Sequence, residues 1–296
     1  MAEDYKRLSF KLDDDFIKSY RRKKPPFGFP IGGGNSLGEL TYISKYSRRK
    51  PDGTKERWYE MCRRVIEGTY SILKDHCTSN RTPWNGPKAQ RSAQDAYDRL
   101  FNLKWTPPGR GLWMMGTSFV HDAKNSASLQ NCSFQSTEKL GPHNTTLPFT
   151  RLMEQSMLGV GVGFDTRGAG KLTIYQPDKN IPVEKFQIPD SREGWCDSLD
   201  LLLRSYFRPN RAVIEFDYSL IRPAGVPIKG FGGLAAGPAP LQDLHESLRK
   251  ILNDRDGQLI SSRDIVDIMN MIGRCVVAGN VRRSAEIALG FPNDED

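Results

Sequence analysis

From Trp105 onward the sequence alternates short apolar runs with amphipathic helical repeats, and this alternation constrains the fold more than any other feature. Phe149, Leu152, Met153 and Met157 share one helical face, and that helix runs into Gly159-Val160-Gly161-Val162-Gly163-Phe164. Trp195, Leu199, Leu202, Leu203 and Tyr206 mark another helix, with Asp190 or Ser191 placed to cap it. Ala212-Val213-Ile214-Glu215-Phe216 reads as a strand. Leu241, Leu244, Leu248 and Leu252 define a helix that opens after Pro238 and Pro240. Ser261 with Asp264 approximates a capping box, and Ile265, Ile268, Met269, Ile272 and Val276 continue that helix. Strands alternating with helices of this length predict an α/β domain.

The first hundred residues are built differently. Trp58, Met61, Cys62, Val65, Ile66, Thr69 and Leu73 recur at helical spacing, which predicts a helix over about 55–74. Ala89, Ala93, Ala96, Tyr97, Leu100 and Phe101 mark a second one. Residues 1–50 are basic and loop-rich, with breakers at Pro25-Pro26 and Gly32-Gly33-Gly34 and a short strand expected at Thr41-Tyr42-Ile43. The expected division is a mainly helical domain over 1–104 and an α/β domain over 105–296.

Composition narrows the class. With 38% hydrophobic residues a real core is available. No apolar run reaches the ~18 residues of a membrane helix, and Met1-Ala2-Glu3-Asp4-Tyr5 is not a hydrophobic signal, so a cytoplasmic protein is expected. A net charge of +8 favours anionic partners, either nucleic acid or nucleotide phosphates. Clusters such as Arg21-Arg22-Lys23-Lys24 equally suit a solvated surface. Cys62, Cys77, Cys132, Cys196 and Cys275 are odd in number and widely spaced, which argues against a disulfide framework and a zinc site. His76, His121, His143 and His245 lack metal-ligand spacing, so no metal site is expected.

Four segments could carry chemistry. The alternating glycines at 159, 161 and 163 let a backbone approach a ligand, or pack tightly as a strand; they do not spell a dinucleotide fingerprint. Ile221 to Gly233 is glycine-rich with cations at Arg222 and Lys229, as a phosphate-cradling or merely flexible loop would be. Gly279-Asn280-Val281-Arg282-Arg283-Ser284 places two arginine forks after a helix, suited to phosphate or base edges or to solvent. Cys132, in Asn131-Cys132-Ser133-Phe134, lies off any helical face; a buried structural thiol is the ordinary alternative. No Ser/His/Asp or Cys/His constellation and no carboxylate pair is legible.

Taken in order, WTPPGRGLWMMGT (105–117), LQNCSF (129–134), GVGVGF (159–164), PDSREGW (189–195), IRPAGVPIKGFGGLAAGPAP (221–240) and VVAGNVRRSAEIALG (276–290) resemble the monomeric, coenzyme B12-dependent (class II) ribonucleoside-triphosphate reductases. The resemblance implies an N-terminal helical domain followed by the first half of a ten-stranded α/β barrel. It implies an insertion at about 165–218 that contributes to the allosteric site. Cys132 matches the family's first redox-active thiol. Thr106, Asn131, Gly161 and Arg282 fall where the family contacts substrate. Arg222 and Lys229 fall where it binds an effector triphosphate, and Gly279, Asn280, Val281, Arg283 and Ser284 fall, with Arg282, in its specificity loop.

The implied reaction converts a ribonucleoside triphosphate to its 2′-deoxy form by thiyl-radical chemistry. It takes adenosylcobalamin as cofactor, a deoxynucleoside triphosphate as effector and a thioredoxin-like reductant. The family's finger-loop motif, Asn-Pro-Cys-Gly-Glu, does not occur in these 296 residues. The chain is therefore expected to be an N-terminal portion, or one half of a split gene, inactive until a further reductase segment completes it, with most of the cobalamin site outside it. The rival expectations are a catalytically inactive nucleotide-binding module that needs a second chain, and a basic nucleic-acid-binding protein. The aromatic platforms interleaved with lysines that would support the second rival are missing.

Overall fold

The structure, a computed structural model, describes residues 8–25, 37–50, 52–122, 125–228, 234–278 and 284–295. They divide into two compact units, 1–129 and 130–296.

The first unit is helical. Helix α1 (Asp14–Tyr20) starts where the Asp13 carboxylate accepts the N–H groups of Asp15 and Phe16. Helix α2 (Leu37–Thr41) runs into a π-helical turn over Tyr42–Tyr46, so the strand expected at Thr41-Tyr42-Ile43 is not formed. The reason is tertiary: Tyr42 turns inward against Trp58 and donates its hydroxyl to the Glu56 carbonyl, which a helical path permits while leaving Ile43 outside. Helices α3 (Trp58–Ser79) and α4 (Gly86–Phe101) pack as a pair. Met61, Cys62, Val65 and Ile66 on one meet Ala93, Tyr97, Leu100 and Phe101 on the other in a shared core. Leu73, expected on that face, is half exposed because the stripe runs out of partners in the last turns of α3. Short helices α5 (Gly109–Met114) and α6 (Ser118–His121) and a 3-10 turn at Ser126–Leu129 close the unit.

The compact units thus divide after Leu129 and not where the sequence changes style at Trp105. Arg64 explains this. From the middle of α3 it donates to the carbonyls of Leu112 and Met115 while paired with Glu56, tying the 112–116 segment to the helical unit. Gly68 and Gly116 meet beside it, so closely that a Cβ at residue 68 would stand 2.5 Å from the Gly116 backbone.

The second unit is α/β. Strands β1 (Cys132–Gln135), β2 (Gly161–Asp165) and β5 (Glu286–Leu289) form a parallel sheet in the order β1-β2-β5. Helix α7 (Leu147–Met157) makes the crossover from β1 to β2. Helices α8 (Arg192–Phe207), α9 (Ala239–Asn253) and α10 (Ser262–Val277) pack in sequence beside it. A second parallel pair, β3 (Glu184–Gln187) with β4 (Ile214–Asp217), brackets α8. The capping box at the start of α10 is formed: Ser261 Oγ accepts the Asp264 N–H, and the Asp264 carboxylate accepts the Ser261 N–H. The α9 stripe Leu241, Leu244, Leu248 and Leu252 is wholly buried, and burying each side chain contributes about 1.5–3 kcal/mol. Val162 and Phe164 of β2 enter the same core as α7 and α10, so one face of the sheet is helix-covered. Among the described residues no helix is long and apolar enough to cross a membrane.

Candidate functional site

Strand alternation decides which side chains the sheet presents. Ser133 and Gln135 point to the covered face, where both hydrogen-bond Gln155 Oε1 of α7. Cys132 and Phe134 therefore point to the opposite face. The parallel register sets Cys132 beside Gly161, and Phe134 beside Gly163, which is itself beside Ile287. This face is open: Phe134, Ile287 and Leu289 are each about half exposed or more, and the Cys132 thiol is exposed and unpaired. Glycines at 161 and 163 keep it shallow, since a Cβ at residue 163 would stand 3.0 Å from the Phe134 ring and 3.3 Å from Ile287.

The geometry around the thiol is pinned from several sides. The Asn131 carbonyl accepts the Gly161 N–H at 2.8 Å. Ser284 Oγ donates to the Val160 carbonyl at 2.8 Å, and the Ala285 carbonyl accepts the Val162 N–H. At the other end of β2 the Asp165 carboxylate accepts from Ser136 Oγ and from the N–H and hydroxyl of Thr137. Burial alone would raise this carboxyl, but those donors hold it below the usual carboxylate range. Asn131, Cys132, Gly161 and Ser284 thus come together at the starts of three adjacent strands.

A cavity of about 180 Å³ lies beside the C-terminal end of α10. Its walls are the start of α8 (Asp190 to Arg192, with Trp195), Met157 at the end of α7, Ile221 with Arg222, Ile228, residues 234–237, and Cys275 with Val276 at the end of α10. Ser191 caps α8 by accepting the Gly194 N–H, so the positive end of a 16-residue helix faces the space. Arg222 Nε donates to Asp190 Oδ2 at 2.7 Å, across 32 residues of sequence. A helix N-terminus, a guanidinium and an indole lining one small cavity suit part of an anionic, ring-bearing ligand; whole small-molecule sites usually measure ~300–1,000 Å³. The two sites are joined through the chain: α10 carries Cys275 and Val276 in the cavity wall, and Ser284 and β5 follow it in sequence.

Of the residues singled out from sequence, Asn131, Cys132, Gly161 and Ser284 are brought together, and Arg222 lies at the cavity. The Gly161 N–H is committed to Asn131, so it has no donor left for a ligand at that atom. Thr106 is exposed in the first unit. Lys229, Gly279, Asn280, Val281, Arg282 and Arg283 lie outside the described residues. Sequence reasoning gave Asp190 and Ser191 only a capping role, and Trp195 none beyond its helix. An N-cap pair followed by a tryptophan at the mouth of a helix was the available signal. It assigned no role to Glu286, for which no local signal exists. Among the described residues no group of three or more His, Cys, Asp or Glu side chains is arranged to hold a metal ion.

Two family models match the chain: "Ribonucleotide reductase alpha domain" over residues 12–117 and "B12-dependent ribonucleotide reductase, insertion domain" over residues 165–252. An adenosylcobalamin-dependent ribonucleoside-triphosphate reductase of Euglena gracilis is 48% identical over 95% of this chain and 38% of its own length. A probable enzyme of the same description from Dictyostelium discoideum is 47% identical, over 97% and 39%. A crystal structure of a B12-dependent (class II) ribonucleotide reductase superposes with a TM-score of 0.80 at 29% identity, covering 97% of this chain and 45% of that one. The chain therefore spans about two-fifths of the length of the curated relatives it matches.

Proposed function

The chain belongs to the adenosylcobalamin-dependent (class II) ribonucleotide reductase family, and on that premise we propose that it carries the effector-reading and substrate-reducing elements of a ribonucleoside-triphosphate reductase. The observation that carries this reading is the path from one site to the other. The cavity wall at Cys275 and Val276 leads, within a dozen residues, to the strand that lies one place from the Cys132–Gly161 pair.

In this reading β1, β2 and β5 belong to the first half of a ten-stranded barrel, and their open face, with Cys132 at its edge, is turned toward the ribonucleoside triphosphate. Cys132 is one of two thiols that reduce the substrate. The pair becomes a disulfide, the ribose 2′ carbon exchanges its hydroxyl for hydrogen, and the hydroxyl leaves as water. All five cysteines here are free thiols, and in this reading the second redox thiol and the radical-bearing cysteine are supplied, as the family resemblance implies, by a further reductase segment. A thioredoxin-like protein then returns the pair to thiols. The cavity takes part of a deoxynucleoside triphosphate effector, with Arg222, Lys229 and the α8 N-terminus meeting phosphate or ribose oxygens. Residues 279–284 form the specificity loop between the two nucleotides, with Arg282 reaching the substrate. Thr106 and Asn131 complete the substrate contacts.

Adenosylcobalamin is the cofactor that the family implies, and the described residues do not fit it. Three cavities among them measure about 180, 70 and 200 Å³, whereas even a drug-sized ligand takes ~300 Å³ or more and a corrin is larger still. His245 is buried with both ring nitrogens hydrogen-bonded.

The test is calorimetric titration of the 296-residue chain with each of the four deoxynucleoside triphosphates. Binding is expected, with Arg222→Ala weakening it by a factor of ten or more, since a charge-assisted hydrogen bond contributes about 1.5–3 kcal/mol. Cys132→Ser should leave it unchanged. A chain that binds none of the four overturns the effector reading. Reduction of a ribonucleoside triphosphate by this chain alone, given adenosylcobalamin and a dithiol, overturns the claim that further residues are needed.

A further inference from the structure

Glu286 is the first residue of β5, and its register partner Val162 enters the core, so its side chain points to the helix-covered face. There it meets α10 at Gly273. A Cβ at residue 273 would overlap Glu286 Oε1 and crowd both other carboxyl atoms, so the carboxyl occupies the recess that the missing side chain leaves. Oε1 is buried and has no hydrogen-bond partner among the described residues. The two contacting residues flank the segment 279–283, with Gly273 one turn before the end of α10 and Glu286 at the start of β5.

We propose that Glu286 is a positioning residue for the effector-to-substrate connection. Its carboxyl, seated in the Gly273 recess, sets the separation between the end of α10 and the start of β5, the two points that residues 279–283 must join. This rests on the reading of 279–284 as the specificity loop. The recess needs a glycine on the helix and a long side chain with a planar end on the strand. An ordinary apolar contact would not leave a buried oxygen without a donor, because such an atom costs stability unless the contact has another use.

The ionisation state of the carboxyl follows from its seat. Burial raises it to about 7. The elements packed against it are β2 and α10. Their ionisable groups are Asp165 at the far end of β2, and Arg263, Asp264, Asp267, Arg274 and Cys275 on α10. Burial favours the neutral acid over the carboxylate in the recess. When the α10–β5 contact opens, the carboxyl returns toward its ordinary value of 4.5. The opening equilibrium therefore grows as pH rises from about 4.5 to about 7 and levels off above, because between those limits only the open form releases its proton.

The experiment is amide hydrogen exchange of the nucleotide-free chain between pH 5 and 8, corrected for intrinsic rates and read on peptides covering 274–278 and 284–289. In the wild type the opening constant should climb by up to tenfold per pH unit to about pH 7 and then flatten. Glu286→Gln, which keeps the shape and cannot ionise, should lack that climb; the difference between the two proteins isolates Glu286 from other titrating groups. Gly273→Ala should displace the carboxyl and raise exchange of both peptides at every pH. A climb unchanged in Glu286→Gln, or wild-type exchange without a climb, overturns the inference. Effector titration reports separately on the proposed function: absent nucleotide binding with the climb intact supports Glu286 as the residue that sets the α10–β5 separation and sinks the specificity-loop reading of the segment it positions.

Discussion

Arg64 and Glu56 form a two-pronged ion pair, Nε to Oε1 at 2.8 Å and Nη2 to Oε2 at 2.9 Å, with both side chains almost entirely removed from solvent. The remaining guanidinium donors reach the carbonyls of Leu112 and Met115. One cation thus joins the residue group before α3, α3 itself and the segment that ends α5.

Removing that cation strands a buried carboxylate. Arg64→Met is expected to destabilise the first unit by about 3–5 kcal/mol, the usual cost of breaking one side of a buried pair. Adding Glu56→Leu should recover part of the loss, because the stranded charge goes with it. Urea unfolding of the two variants checks this, and a single-variant loss under about 1 kcal/mol would show that the pair is not holding the unit together.

His245 is buried between α8 and the segment after β4. Tyr218 Oη lies 2.7 Å from Nδ1, Ser198 Oγ 3.3 Å from Nε2, and the Phe216 ring stacks at 4.3 Å. Burial first, and the Arg249 charge second, push its pKa from 6.5 down to about 3. The neutral ring is the folded form, so nothing is lost above pH 6.5. Below it the unfolded chain binds a proton that the folded chain refuses. Stability should fall by up to about 1.4 kcal/mol per pH unit between 6.5 and 3. The slope of unfolding free energy against pH should be shallower by about one proton in His245→Gln; equal slopes would count against this assignment.

The exposure of Cys132 sets it apart from the other thiols. Cys62 is buried, and its thiol is pushed well above its ordinary value by burial and then by the Glu56 charge. Burial raises Cys196 to about 12. Alkylation of the native chain near pH 7.5 should modify Cys132 first, with one rapid equivalent lost in Cys132→Ser, and should reach Cys62 and Cys275 only on unfolding. Peptide mass mapping reads the order; rapid labelling of Cys62 would contradict the packing described for α3.

Much of the architecture is local and was legible. The α9 leucines, the capping box at Ser261 and Asp264, and the apolar stripe of α3 through Ile66 are periodic signals that survive folding because each buries one face of a regular element. Thr41-Tyr42-Ile43 was misread because three β-prone residues carry less weight than one buried contact, that of Tyr42 with Trp58 and Glu56. The glycines at 159–163 admit a ligand loop or, the favoured reading, a packed strand; pairing on both sides makes 161–165 a central strand.

By itself the sequence determined the family, the α/β character of the second unit and the thiol at 132. The family and the role of the thiol follow from the resemblance of its motifs, and the α/β character from the order and spacing of apolar residues, which any fold of the chain must respect. Tertiary structure alone decided the partners: Asp190 with Arg222, Cys132 beside Gly161, and the Glu286 carboxyl in the Gly273 recess. Each of those pairs joins residues 13 to 32 positions apart. No local periodicity reports such a pair, because its geometry depends on the register of a sheet and the packing of helices against it.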